Sequence, residues 1–182
     1  MLSNEDKYTL KTKRLILQII KPDDLPFIHE ALSNHKVTRH YDVHFDTLEE
    51  TQEQMDWYAK LMKENTGIWW KLIEKESKQK IGACGFNDWN HQEHSAEIGF
   101  WLLPEYQGHG WMSEALPGIL QYGFGNMKLK KIMAEVERNN VKSSKLLQEN
   151  GFKVIPERSF KEAKNGAIIW VDRYVQKLGS NK

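Results

Sequence analysis

The sequence predicts an α/β protein of the α+β type, with a mixed, mostly antiparallel central sheet flanked by helices. Three observations predict it. Strand-like runs at 68–74, 80–89 and 96–103 follow one another across the polar connections 75–79 and 90–95, the spacing of an antiparallel meander. A helical pattern over 108–124, with Met112, Leu116, Ile119, Leu120 and Phe124 near helical spacing, separates the third run from a strand at 131–137. A strand, a helix and a strand in that order imply one right-handed crossover within the sheet, which is not the doubly wound arrangement.

The remaining elements follow from local signals. Residues 14–20 (RLILQII) read as the first strand, ended by Pro22, which opens a helix carrying Leu25, Ile28 and Leu32. Thr47 followed by Glu50 has capping-box spacing and starts a helix to about Lys63. Pro117, inside the 108–124 pattern, is expected to kink that helix or weaken its first turns. Residues 141–149 form a helix stopped by Asn150-Gly151, 152–155 a short strand and 168–176 the last strand. The expected order is β-α-α-β-β-β-α-β-α-β-β, without repeats, low-complexity tracts or a linker that would divide it.

Composition narrows the class of function. The chain has 182 residues, enough for one self-sufficient core, with 40% hydrophobic and 28% charged residues. Lysine and arginine (26) nearly balance aspartate and glutamate (25), leaving a formal charge of +1 and no field to hold nucleic acid or an anionic membrane. The acidic start, Met1 to Asp6, lacks the basic-then-apolar form of a signal peptide, and no apolar run reaches membrane-spanning length. These features point to a cytoplasmic location. The single cysteine, Cys84, excludes an internal disulfide and a cysteine-based zinc site, and its small apolar neighbours predict an inert buried thiol. His91, His94, Glu93 and Glu97 are the nearest approach to a metal cluster; His91 and His94 fall in a loop with no third ligand fixed by spacing, and no metal is expected. Trp69, Trp70, Trp89 and Trp101 read as core and rim aromatics.

The most informative stretch is 102–115, LLPEYQGHGWMSEA. A strand enters a loop with Gly108 and Gly110, and a helix follows at once. Backbone N–H groups in such a turn converge, the helix start adds partial positive charge, and glycines allow close approach, so the turn suits a pyrophosphate. A dinucleotide fingerprint would need a third glycine at 113, where serine stands, and a nucleoside-triphosphate loop would need Gly-Lys-Ser/Thr, which is absent.

These residues resemble the Gcn5-related N-acetyltransferase (GNAT) superfamily, whose acetyl-CoA loop reads Q/R-x-x-G-x-G/A. Gln107 and Gly110 match, while Met112 replaces the final small residue. Glu97 to Leu102 (EIGFWL), Ser113-Glu114-Ala115, residues 140–152 (NVKSSKLLQENGF), residues 14–17 (RLIL) and residues 170–175 (WVDRYV) are similar to the branch that acetylates protein N-termini, ribosomal proteins among them. The resemblance spans about residues 9–178 as one domain and implies a GNAT-like sheet in which strands 96–103 and 131–137 splay apart to form a cofactor wedge.

What the resemblance implies is an acetyl-CoA-dependent N-acetyltransferase without a metal. Backbone groups of Trp101, Leu102 and Leu103 would hold the pantetheine arm. Gln107, Gly108, His109, Gly110, Trp111, Met112 and Ser113 would hold the diphosphate. Asn140 would cap the following helix and bond pantetheine, and Ser143 would bond the departing sulfur, with Ser144 as fallback, since many relatives carry a tyrosine where Leu147 stands. Glu97, earlier on the strand, is the candidate base. An α-amino group, with a pKa of about 7.7–8.0 against about 10.4 for lysine, needs only modest help to lose its proton.

Asp42, Asp46, Glu49, Glu50, Glu53 and Asp56 lie between Tyr41 and Ala59 without a lysine or arginine; in the family this segment borders the acceptor groove and would attract a cation. Such a border suits a protein N-terminus, a polyamine or an aminoglycoside alike, and the resemblance to the N-terminal branch makes a protein or peptide N-terminus the favoured acceptor. A polyamine or aminoglycoside-type amine is the alternative, as is a non-catalytic acetyl-CoA sensor, and a homodimer is common among relatives.

Overall fold

A computed structural model describes residues 6–41, 43–164 and 166–179; Met1–Glu5 and Asp42, on which part of the sequence reading falls, lie outside them. The first hairpin is β1 (Leu10–Lys11) and β2 (Leu15–Ile19). A 3-10 turn at Pro22–Asp24 leads into α1 (Leu25–Leu32), and the four-residue α2 (His35–Thr38) precedes α3 (Leu48–Glu64). The meander is β3 (Ile68–Glu74), β4 (Lys80–Asn90) and β5 (Ser95–Leu102). Then come α4 (Trp111–Gly125), β6 (Lys131–Glu137), α5 (Val141–Glu149), β7 (Lys153–Val154), β8 (Phe160–Lys164) and β9 (Ala167–Lys177).

The strands form one sheet in the order β1-β2-β3-β4-β5-β6-β9-β7, with β8 paired to β9. Among the described residues every pairing is antiparallel except β5–β6. The expected meander and the single crossover are both present. The elements that sequence reading passed over, β1, α2 and β8, are short or polar.

Alternation along the strands splits the core into two layers. Cys84, Phe86 and Ile98 pack with Met112, Leu116 and Ile119 of α4 and Leu147 of α5 on one face. Trp69, Ala83 and Trp101 pack with Phe27, Ile28, Met55, Tyr58 and Leu61 of α1 and α3 on the other. Cys84 is fully buried, and burial pushes its thiol well above the usual range, in keeping with an inert group.

Two local expectations are refined. The Thr47 side chain accepts from the Glu50 N–H, but the Glu50 carboxylate reaches past Thr47 to the Asp46 N–H, so the reciprocal half of the capping box is shifted by one residue. Helix α4 begins at Trp111 rather than Gly108, because Gly108 and Gly110 hold left-handed backbone (φ +83° and +74°). It continues through Pro117, whose ring lies on the exposed side.

Candidate active site

The site is built on a fork between β5 and β6. Their parallel ladder has only three rungs, Ser95–Lys131, Ala96–Ile132 and Glu97–Met133, although β5 continues to Leu102 and β6 to Glu137. Beyond Glu97 the strands part, and the opening faces their carboxyl ends, where open parallel strands commonly receive ligands. The anion turn after β5 and the head of α5 after β6 border that opening.

Unpaired strand edges carry polar groups into the gap. The Leu103 N–H bonds the Ile81 carbonyl, so by ladder alternation Trp101 and Gly99 also direct their N–H and C=O toward β4. The groups facing the gap are those of Phe100 and Leu102. Of the three residues expected to hold a pantetheine arm, Leu102 thus has the gap-facing edge and Trp101 and Leu103 are engaged with β4, while Phe100, not among the three, shares the gap-facing edge. Ladder parity is the signal that would have found it. The Tyr41 hydroxyl donates to the Phe100 carbonyl from the strap after α2, and His40 in the same strap meets Glu137 of β6 at 2.7 Å. The strap therefore touches both arms of the fork.

Glu97 sits on the last rung, half-buried, with its side chain on the α1–α3 face by strand alternation. A bulge in β4 between Asn87 and Asn90 brings Asp88 into its field. Burial first, then the charges of Glu135 and Asp88, raise its pKa from 4.5 to about 7, while Arg173 opposes them. A pocket of about 210 Å³ adjoins it, lined by Glu97, Met133, Glu135, Ile155, Arg158 and Arg173 among others. Burial would also raise Glu137, but hydrogen bonds from Lys164 (2.5 Å) and His40 hold its carboxyl below the usual range.

The turn after β5 has the form of an anion cradle. The Trp111, Met112 and Ser113 N–H groups occupy the first turn of α4, where an α-helix supplies no acceptor, and the first helical bond runs from the Glu114 N–H to the Gly110 carbonyl. A Cβ on Gly108 would meet nothing within 4 Å, so the space beside this left-handed residue is open. Met112 turns its side chain into the core, which leaves the backbone at that position as accessible as a smaller residue would. Gln107 folds its amide back onto the Leu102 carbonyl at 3.1 Å, and His109 is exposed. Arg14 clamps the turn from outside: its guanidinium lies 4.0 Å from the Trp111 ring, its Nε donates to Glu114 at 2.5 Å, and Nη1 reaches the His109 carbonyl at 3.4 Å. Thr12 and the Arg14 N–H also donate to Glu114, each at 2.6 Å, fixing the β1–β2 turn against the head of α4.

At α5 the Asn140 side chain accepts from the Ser143 N–H at 3.3 Å, which is the expected cap. Ser143 and Ser144 are half-buried, and Leu147, on the same helical face, is fully buried in the α4–α5 layer. Glu97 and Ser143 therefore belong to opposite faces of the fork. No three histidine, cysteine, aspartate or glutamate side chains converge as metal ligands among the described residues, and His91 instead contacts the Asn65 carbonyl at 2.7 Å. Nor, among these residues, is any helix long and apolar enough to cross a membrane.

This geometry can be set beside known proteins. Residues 14–153 match the acetyltransferase (GNAT) domain family. The uncharacterized N-acetyltransferase YoaA of Bacillus subtilis is 34% identical over 144 residues, 79% of this chain and 81% of that protein. A spermidine N-acetyltransferase from Vibrio cholerae, solved with CoA and spermine, superposes with a TM-score of 0.82 at 25% identity, covering 92% of this chain and 97% of that one. RimL, a ribosomal L7/L12 α-N-protein acetyltransferase solved with coenzyme A, superposes with a TM-score of 0.83 at 19% identity, covering 95% and 99%, which speaks for the fold alone. With the family match covering well over half of its length, the chain belongs to the GNAT family of N-acetyltransferases.

Proposed function

We propose that the protein moves the acetyl group of acetyl-CoA, the donor its family uses, onto a primary amine, and that a peptide or protein N-terminus is the favoured acceptor. The observation that carries this reading is Glu97 at the root of the fork, with a pKa of about 7 where an incoming amine must lose a proton. An α-amino group titrates within about a unit of that value, so proton transfer between the two is nearly balanced; a lysine or polyamine nitrogen is a poorer match.

Acetyl-CoA supplies the activated acyl group as a thioester. The N–H groups of Trp111, Met112 and Ser113 and the left-handed Gly108 and Gly110 form the diphosphate cradle, with His109 exposed in the same turn and Gln107 bracing it. The gap-facing N–H groups of Phe100 and Leu102 on β5 suit a pantetheine carbonyl, and Asn140 follows the other arm, β6; the Trp101 and Leu103 side chains pack into the core on the α1–α3 face. As the N–C bond forms and the C–S bond breaks, Glu97 takes a proton from the amine and the sulfur recovers one, in this reading from the Ser143 hydroxyl or from water. The α3 acids Glu49, Glu53 and Asp56 are exposed, which suits an acceptor-side field that draws amines.

Release of free CoA, measured against N-terminal peptides, polyamines and aminoglycosides, tests the reading. Turnover with peptides and loss of turnover in S143A are expected. Acetyl-CoA binding without turnover of any amine would make the protein a sensor. A spermidine preference is the competing outcome, favoured by the Vibrio cholerae relative.

A further inference from the structure

The pocket beside Glu97 is lined by two acids, Glu97 and Glu135, and two bases, Arg158 and Arg173, which are not all paired with one another. Glu135 accepts from Arg173 Nε at 2.7 Å, so that acid and that base neutralise each other. The Phe160 ring stacks against the same guanidinium at 5.0 Å and fixes it in place. Glu137, farther along β6, is doubly satisfied by Lys164 and His40. Arg158 is different. It lines the pocket from the 3-10 turn Pro156–Arg158, and among the described residues its guanidinium has no hydrogen bond and no ion pair. That turn is itself anchored: the Ile155 N–H bonds the Arg173 carbonyl at 2.7 Å, and Ser159 bonds Asp172 at 2.8 Å. Arg158 is exposed, so an unpaired guanidinium is presented to solvent from an anchored turn in the same small pocket as the candidate base.

We propose that this pocket is a carboxylate-reading subsite, in which Arg158, with Arg173 beside it, recognises an acid group that the acceptor carries a few bonds from its reacting amine. The proposal rests on the acetyl-transfer reading above and narrows its acceptor class. A guanidinium matches a carboxylate with two parallel donors, a geometry that lysine cannot reproduce. The pocket is smaller than most drug-sized ligand sites, so it fits a residue or two and not a large ligand. A polyamine entering it would bring further positive charge against Arg158, which a zwitterionic acceptor avoids. The acid can come from an aspartate or glutamate side chain at the start of a peptide, or from the α-carboxylate of a free amino acid.

The two sources are separated by substrate choice. Wild-type kcat/KM is compared for tripeptide amides of sequence Ser-Asp-Ala, Ser-Asn-Ala and Ser-Lys-Ala, and for free serine against serinamide. A charged hydrogen-bonded contact corresponds to roughly tenfold or more in favour of the acid-bearing member, chiefly through KM. The peptide series or the amino-acid pair shows that ratio according to which source is used. In R158A the ratio collapses toward one, and in R158K only part of it returns; a merely structural arginine would not change a ratio between matched substrates. Equal rates across both series in the wild type, or a ratio that survives in R158A, overturn the proposal, as does turnover confined to polyamines. Absence of turnover with every amine is a different result, because it removes the acetyl-transfer reading itself.

Discussion

Replacing Glu97 by Gln is expected to slow the enzyme and stabilise it, in opposite directions and over a defined pH range. Burial and the charges of Glu135 and Asp88 raise this carboxyl from 4.5 to about 7 in the folded protein. Between those values the unfolded chain has released the proton and the folded chain retains it. Wild-type stability therefore falls as pH rises through this window, and the loss is complete above the folded value. The interval sets a ceiling of about 3 kcal/mol. Because Glu97 is only half-buried and water screens it, about 1–2 kcal/mol is the expected loss. Glutamine has the same shape and no charge, so E97Q should match the wild type near pH 4, below the unfolded value, and exceed it near pH 8.5, by about 2–8 °C in Tm for a chain of this size. Differential scanning calorimetry at the two pH values reads this directly. In parallel, the wild-type kcat/KM should rise with pH to a bend near 7; E97Q should lack that bend and fall by about 10²–10⁴-fold, as for loss of a general base. The titration of the acceptor's own α-amine, near 8, remains in both proteins, so the two bends are separable. Equal melting temperatures at pH 8.5 would mean that Glu97 titrates as an ordinary exposed acid, and the argument for it as a base near neutrality would fail.

Three other perturbations address separate parts of the structure. Gly110→Ala places a Cβ on a residue with φ of +74°, at a cost of about 1–2 kcal/mol, and the KM for acetyl-CoA should rise more than kcat falls; an unchanged KM would place the diphosphate elsewhere. Asp24→Ala removes the fully buried partner of Lys71 (2.7 Å) and Lys80 (2.6 Å), leaving the Lys71 ammonium stranded, and should cost about 3–5 kcal/mol in urea unfolding with no change in acetyl-CoA affinity. Burial raises Asp24, but its hydrogen bonds to Lys71, Lys80 and the Lys21 N–H win and lower its pKa, so that stabilisation should fade as pH falls through its folded value. Cys84, fully buried with its thiol pushed upward, should resist iodoacetamide at pH 8 in the folded protein and react on unfolding, as mass spectrometry would read.

Much of this architecture was legible because its signals are local. The strands at 68–74 and 131–137 and the helix at 141–149 fall where periodicity put them, since each buries a face whose spacing is written in adjacent residues. The anion turn was equally legible, because glycines two apart between a strand and a helix are a local fact. β8, by contrast, is Phe-Lys-Glu-Ala-Lys, with too little apolar alternation to stand out; the Asn165-Gly166 dipeptide in the sequence is the hairpin signal that would have exposed it. α2 is a single turn with no periodicity to detect.

The chemistry of the site was legible only in part, for the same reason carried to longer range. Glu97 was singled out by its place on a strand, but its raised pKa comes first from burial and then from the charges of Glu135, 38 residues away and brought beside it by a three-rung ladder, and Asp88. Nothing in the local sequence states where that ladder stops, and its stopping is what opens the fork. The same holds for Arg14 and Glu114, joined across 100 positions by a hydrogen bond that fixes the head of α4, and for His40 and Glu137, joined across 97. Both of these last contacts connect the N-terminal third of the chain to the half that carries the anion turn and the fork. The anion turn, the fork and the strap after α2 are therefore mechanically dependent on one another. Removing Glu114 should loosen the cradle even though its carboxylate is engaged by Thr12 and Arg14 on the far side of the turn, whereas a change confined to α3 should leave the cradle intact.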